Sequence, residues 1–306
     1  MLMLRSPLQP PQITDEIRAR FDTRDEAEAL AMPEKITAVA TKGDIGLPGE
    51  VMAKLPSLRM IAVYGVGVDK IDLAQARDRG IAITTTPGVL TDAVAEQAIA
   101  LILAATRRIA EGDRHVRTGA WAKGKLGLGY SIRGRTLGVL GYGRIGRRIA
   151  ELARAIGMDI LYTDLQAVAG EEDAFRSSPA ALAQDSDVLV IAAAGGSGTD
   201  GLVDQKVLAA LGPNGLLVNV ARGGVVNEED LIAALNTGGI SGAALDVFQN
   251  EPNPRPDLLK MPNVVLTPHL ASATIDARIA MGRLVIDNLA AFFDDRPLVT
   301  PLEVLS

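Results

Sequence analysis

The chain has no cysteine. That excludes disulfides, thiolate-held metal ions and a cysteine nucleophile, and it suits a reducing compartment. Basic residues are not in excess: 31 Lys and Arg against 37 Asp and Glu give a formal charge of −6. A partner bound through a broad basic surface, nucleic acid above all, is not expected. Long apolar runs are missing too. The longest, 98–105, is far short of a membrane span. The opening residues, Met1 to Pro7, carry neither a long apolar core nor a small-residue cleavage site, so no secretory signal is expected. The expectation is a cytoplasmic protein with no membrane partner and no metal site. Aromatics are only 3% of residues, which makes the single tryptophan, Trp121, conspicuous. What the chain does have is length and apolar content: 306 residues, 48% hydrophobic, enough for a large core in one or two domains.

The stretch that organises this material runs from Thr136 to Ala150. A short apolar run, 137–140, reads as a buried strand. It leads into Gly141-x-Gly143-x-x-Gly146, and 147–156 then has helical apolar spacing, with Gly157 as its C-cap. A second strand, 158–163, ends at Asp164. This is the order that dinucleotide binding requires. Gly141 permits a tight turn, Gly143 lets the backbone approach a pyrophosphate, and Gly146 lets helix and strand pack closely. An acid about 20 residues on is placed to accept a hydrogen bond from a ribose 2′-OH. A carboxylate there repels a 2′-phosphate, and no arginine follows it (Leu165, Gln166), so NAD is favoured over NADP.

Elsewhere strands alternate with helices, which implies parallel, helix-covered sheets. In the first hundred residues, 37–40, 59–63 and 81–84 read as strands and 48–55 as a helix. The second of these strands runs into Tyr64-Gly-Val-Gly-Val-Asp69, which is either a plain turn or a cradle of backbone N–H groups for a small anion. A helix over 91–109 is apolar around most of its circumference and is expected to be buried between domains or subunits. His115 lies among charges and should face solvent; Trp121 either packs or borders a site. After the glycine-rich turn, 187–191, 215–220, 240–245 and 263–267 read as strands. The helices are 204–211, one capped by Asn227 and ending near Asn236, and a last one over 273–293.

Ligands in open parallel sheets bind beyond the carboxyl ends of the strands. In the second half of the chain those ends are Gly141, Asp164, Ala192 to Gly196, Arg222, Asp246 and His269. The planar guanidinium of Arg222 suits a carboxylate bidentately. Glu251, soon after Asp246, would fix a neighbouring imidazole and favour its charged form, making it a better proton donor near neutrality. Taken singly, such an arginine commonly serves a surface ion pair and such a histidine is commonly structural. The joint pattern is what points to chemistry.

These segments carry a family resemblance. Tyr64–Asp69, Thr91–Glu96, Gly141–Gly146, Asn219–Gly224, Leu245–Pro252 and Thr267–His269 resemble the D-isomer-specific 2-hydroxyacid dehydrogenases, over nearly the whole chain. Val68–Leu73 and Pro87–Asp92 look nearest the hydroxypyruvate, glyoxylate and hydroxyphenylpyruvate reductase branch. The resemblance implies catalytic roles for three residues: Arg222 holding the substrate carboxylate and carbonyl, His269 protonating the carbonyl oxygen, and Glu251 supporting His269. It implies cofactor contacts from Gly141, Gly143, Arg144, Ile145, Gly146, Asp164, Ala193, Thr199, Val220, Ala221 and Asp246. It implies substrate contacts from Val66, Gly67, Arg222 and Trp121, the last from a neighbouring subunit of a homodimer. Two departures stand out. NADPH-using reductases of this branch commonly carry a small residue and then Arg where this chain has Asp164-Leu165, and a common Pro-Leu-Thr segment is replaced by Ala194-Gly195-Gly196. Glu251 in place of Gln argues against the formate dehydrogenase relatives, and no regulatory domain like that of long phosphoglycerate dehydrogenases is expected.

The expected fold is α/β with two domains. One is a Rossmann-type doubly wound parallel sheet at 100–286, binding NAD (NADP less favoured). The other is a smaller flavodoxin-like substrate domain built from 1–99 and 287–306, with the site in the cleft between them. The expected reaction is NADH-dependent reduction of a small 2-oxo acid to the D-2-hydroxy acid. A non-catalytic NAD-sensing scaffold on the same fold is the alternative. Asp164→Ala is expected to narrow any preference for NADH over NADPH in kcat/KM; an untouched preference would contradict this reading of Asp164.

Overall fold

The computed structural model describes residues 1–196 and 198–302. They form two compact units, one made of residues 1–90 with the chain from Ala273 onward, the other of Thr91–Ser272.

The first unit holds five parallel strands: β1 (Leu2–Leu4), β2 (Thr23–Asp25), β3 (Ala38–Lys42), β4 (Met60–Tyr64) and β5 (Ala82–Thr84). Their order is β2-β1-β3-β4-β5, the flavodoxin-like winding. All five residues of β4 are buried, as expected for a central parallel strand covered on both faces. Met3, Val39, Ile61, Val63 and Ile83 pack with Ile36, Leu47 and Leu55 into one core. The helix Ile275–Phe293 packs on β4 and against the helix Pro11–Arg20, where Gly282 leaves room for Ile13. Sequence reading misses β1, at the opening of the chain, and β2, whose Thr-Arg-Asp has no apolar residue. The helix expected at 48–55 shortens to Gly49–Met52.

The second unit holds six parallel strands: β6 (Thr136–Leu140), β7 (Asp159–Thr163), β8 (Val188–Ile191), β9 (Leu216–Asn219), β10 (Gly242–Leu245) and β11 (Val264–Leu266). Their order is β11-β10-β9-β8-β6-β7. Beyond β7 a single parallel bridge, Tyr162 to Phe175, is the remnant of one more strand. The winding reverses between β6 and β8, which is where a doubly wound sheet opens a crevice for a dinucleotide.

Three expectations are corrected. The domain boundaries fall at 90/91 and 272/273, not at 99/100 and 286/287. The reason is that each boundary helix stays whole. Thr91–Thr106 packs on the helix Arg144–Ala155 and on β9, β10 and β11, while Ile275–Phe293 belongs to the first unit. The helix expected over 91–109 ends at Thr106. Arg108 then turns through the left-handed region (φ 55°), and the polar stretch after it forms a separate helix, Ile109–Arg117. The helix expected from 147 begins at Arg144, because the glycine turn is tight enough to start it at once.

Candidate active site

All six strands of the second unit are parallel, so their carboxyl ends share one edge of the sheet. Gly141 follows β6, Asp164 follows β7, Ala192 follows β8, Arg222 lies just past β9, Asp246 follows β10 and His269 lies just past β11. β9, β10 and β11 are neighbours. At roughly 5 Å per strand spacing, the segments carrying Arg222, Glu251 and His269 leave the sheet side by side.

The three glycines of the β6 turn meet three different constraints. Gly141 has φ 93° and lies against the backbone of Ala193, so a side chain would be both strained and blocked. A Cβ on Gly146 would run into the carbonyl oxygen of Gly141. At Gly143 a Cβ would meet only open space, and Gly143 is exposed. Gly143 is also the N-cap of Arg144–Ala155 and offers that helix no side-chain cap. The opening N–H groups, those of Arg144 and Ile145, thus receive no side-chain cap at the positive end of the helix, and the space at Gly143 is open. That arrangement fits a pyrophosphate. Asp164 stands beside the turn: its Oδ2 accepts from the Tyr142 amide (2.6 Å) and its Oδ1 from the Leu165 amide (2.7 Å), and the residue stays partly exposed. The wall behind is braced by Tyr142, whose ring stacks on Tyr162 at 4.0 Å and whose hydroxyl donates to Glu171 (2.7 Å). Burial, with that bond, pushes the Tyr142 hydroxyl above the usual phenol range.

The turn after β9 is built on Asn219, which is almost fully buried. Its Oδ1 accepts from the Ala221 amide (3.0 Å) and its Nδ2 donates to the Arg222 carbonyl (2.9 Å). The Arg222 side chain lies over Gly195, where a Cβ would come within 2.6 Å of Arg222 Cγ, and its Nη1 donates to the Ala221 carbonyl (2.8 Å). Gly223 is pressed against the backbone of Phe248, leaving no space for any side chain.

The loop after β11 places His269 at φ 54°, a conformation that costs a non-glycine residue of order 1 kcal/mol or more. Its amide donates to the Asp246 carbonyl (2.8 Å). The Asp246 carboxylate, fully buried, accepts from Thr267 Oγ1 (2.6 Å) and from the amides of Leu270 (2.8 Å) and Ala271 (2.8 Å). Gln97 adds a donor to Thr267 Oγ1 (3.2 Å). Thus held, the imidazole meets Glu251: Nδ1 to Oε2 is 2.7 Å, while Oε1 accepts from the Phe248 amide (3.0 Å). Burial pushes the Glu251 carboxyl up. The hydrogen bonds from His269 and Phe248, with the charges of His269 and Arg222, pull it down further, so it titrates below its ordinary value. A carboxylate at Nδ1 fixes Nδ1–H as donor and turns Nε2 outward, where no partner meets it among the described residues.

The remaining expected residues divide. Ala193 adjoins Gly141, Thr199 Oγ1 donates to the Ala194 carbonyl (2.7 Å), and the Val220 amide donates to the Ile191 carbonyl (3.4 Å), all at the same edge as Ala221. In the first unit, Val66 and Gly67 follow β4, and their amides donate to no group among the described residues. No hydrogen bond or ring contact brings Trp121 to Arg222, Glu251 or His269; it is 66% exposed. His115 is exposed, its Nε2 2.8 Å from the Gly124 carbonyl oxygen. A cavity of about 260 Å³ lies at the opposite edge of the second sheet, lined by Arg108, Tyr130, Leu216, Gly242 and Val264, and takes no part in this site. Sequence reading gave no role to Asn219, Thr267 or Gln97. Polar residues at the ends of apolar strands were the available signal for the first two.

The family described as D-isomer specific 2-hydroxyacid dehydrogenase, NAD binding domain, matches residues 99–271. The chain is 44% identical over 267 residues to 2-ketogluconate reductase of Gluconobacter oxydans (strain 621H), covering 87% of this chain and 86% of that protein. It is 41% identical over 285 residues to glyoxylate/hydroxypyruvate reductase A of Arabidopsis thaliana, covering 92% and 91%. Among solved structures, NADPH-dependent glyoxylate/hydroxypyruvate reductase from Sinorhizobium meliloti, in complex with NADP and malonate, superposes with a TM-score of 0.93 at 38% identity, covering 99% and 96%. With the family match spanning more than half of the sequence and relatives this similar along most of it, the protein belongs to the D-isomer specific 2-hydroxyacid dehydrogenases and is an NAD(P)-dependent oxidoreductase acting on a CH–OH group.

Proposed function

We propose that the protein reduces hydroxypyruvate, glyoxylate or a similarly small 2-oxo acid to the D-2-hydroxy acid, with NADH as the preferred donor. The observation that carries this reading is the 2.7 Å Glu251–His269 pair at the strand edge beside Arg222. NADH, when bound, supplies the hydride. The chain supplies the rest. Gly143, Arg144 and Ile145 hold the pyrophosphate at the helix start, with Gly141 and Gly146 shaping the turn, and Asp164 accepts from the ribose. Ala193, Thr199, Val220, Ala221 and Asp246 belong to the wall and frame of the nicotinamide end. Arg222 binds the substrate carboxylate and polarises its carbonyl; in the first unit, the Val66 and Gly67 amides suit a carboxylate. His269 gives the proton on Nε2 to the carbonyl oxygen, and Glu251, bonded at Nδ1, keeps the ring oriented for that transfer.

The partly exposed carboxylate of Asp164 and the exposed Leu165 after it support NADH over NADPH. We also propose a homodimer working in the cytoplasm, where NADH is regenerated. Exposed Ile109, Val116, Trp121 and Leu128 support an assembly face, and Trp121 is placed in the substrate wall only through it.

His269→Ala should lower turnover at least about 100-fold, measured as NADH oxidation with hydroxypyruvate, glyoxylate, pyruvate and hydroxyphenylpyruvate in parallel. Near-wild-type turnover in the variant, or no turnover of any of these acids by the unmodified protein, would refute the reading. Glu251→Gln removes the negative charge beside the proton donor. The alkaline limb of reductive kcat/KM should therefore move to lower pH; an unmoved limb would show that Glu251 does not support His269.

A further inference from the structure

We infer that Glu228 and Gln249 are a positioning pair that locks the Arg222 turn to the Glu251 loop and so keeps the carboxylate in register with the imidazole. The inference rests on the catalytic reading above and adds two residues to it.

Glu228 opens the helix Glu228–Thr237 and is 3% exposed. A carboxylate that deep is costly unless something compensates it. The helix start provides one compensation, through its positive end. The other is a hydrogen bond: Oε1 accepts from the Gln249 main-chain amide at 2.7 Å. Oε2 has no partner among the described residues, so this oxygen contributes nothing to the fold by bonding. Gln249 closes the clamp from its own side, its Nε2 donating to the Val226 carbonyl at 2.9 Å.

Two residues on from Gln249 is Glu251, and one residue back is Phe248, whose amide holds Glu251 Oε1. One residue before the Val226 end is Val225, whose amide donates to the Arg222 carbonyl (3.3 Å). Between the two segments Gly223 lies directly on the Phe248 backbone. The turn carrying the guanidinium and the loop carrying the carboxylate are therefore fastened at three points: Glu228 to Gln249, Gln249 to Val226, and Gly223 against Phe248. Glu251 has no helix or strand of its own to fix it, and its bond to Nδ1 depends on where that loop sits. Charged groups near these segments include Arg222, Asp246, Glu251 and His269 at the strand edge, Asp200 against Gly224, and Glu229 and Asp230 on the helix; Asp230 is engaged by the Gln205 amide (3.0 Å).

The test is steady-state kinetics of the full chain with NADH and hydroxypyruvate over a range of pH, for Glu228→Ala, Glu228→Gln and Gln249→Ala. Glu228→Ala should lower kcat about tenfold or more, the scale of a small misplacement at a reacting centre, with KM for NADH little changed. Its alkaline limb should move the same way as in Glu251→Gln. Glu228→Gln keeps an oxygen for the Gln249 amide and should restore most of the loss. Gln249→Ala keeps the main-chain bond, loses only the clasp on Val226, and should give a smaller change in the same direction; it keeps the test open if Glu228→Ala does not fold. Wild-type kcat and pH profile in folded Glu228→Ala or Gln249→Ala would overturn the inference, as would a Glu228→Gln protein no better than Glu228→Ala. If His269→Ala and Glu251→Gln are themselves silent, the catalytic reading fails instead.

Discussion

A buried carboxylate holds the loop that everything else at the strand edge relies on. Asp246, at the end of β10, gathers Thr267, Leu270 and Ala271 onto its two oxygens and binds the His269 amide through its own carbonyl. Those bonds sit where water is excluded, so each is stronger than it would be at the surface, and losing a partner would leave a buried charge exposed to its own desolvation cost. They over-determine the position of His269 enough to keep it in the left-handed region. Without that constraint the imidazole would have no reason to face Glu251, and the pairing at Nδ1 that leaves Nε2 outward would be one rotamer among several.

The same division of labour recurs around the site. Asn219 does for Arg222 what Asp246 does for His269, shaping a turn with two side-chain bonds. Glycines complete the arrangement where a side chain would intrude: Gly146 under the cofactor turn, Gly195 under the arginine stem and Gly223 against Phe248. Arg222 and His269 are thus each placed by a buried polar group, or a missing side chain, one step behind.

Much of this placement was legible in the sequence, for a physical reason. The strand-turn-helix around Gly141, Gly143 and Gly146, with Asp164 after the next strand, was readable because such a turn needs fixed residue types at fixed spacing. Arg222 and His269 were readable as strand-end polar residues, since a parallel sheet sends every such end to one edge; Glu251 was readable only as an acid in the loop soon after Asp246. The strands Leu2–Leu4 and Thr23–Asp25 were not: the first lies in the opening residues with no turn signal before it, and the second has no apolar residue. The break at Arg108 was missed because apolar spacing runs through it while the backbone does not. The boundary at 99/100 cut through an all-round apolar helix whose faces pack within one unit. Glu228 gave no signal at all: it reads as one acid among three at a helix start, and only burial sets it apart.

The central claim is that Arg222 and His269 converge on one small keto acid. A crystal structure of the protein with NADH and oxamate, an unreactive analogue of such an acid, tests it most directly. The account predicts the oxamate carboxylate on the Arg222 guanidinium and its amide oxygen about 3 Å from His269 Nε2, with Nδ1 still on Glu251. Oxamate bound away from either side chain, or an imidazole turned off Glu251 with both ligands in place, would contradict it.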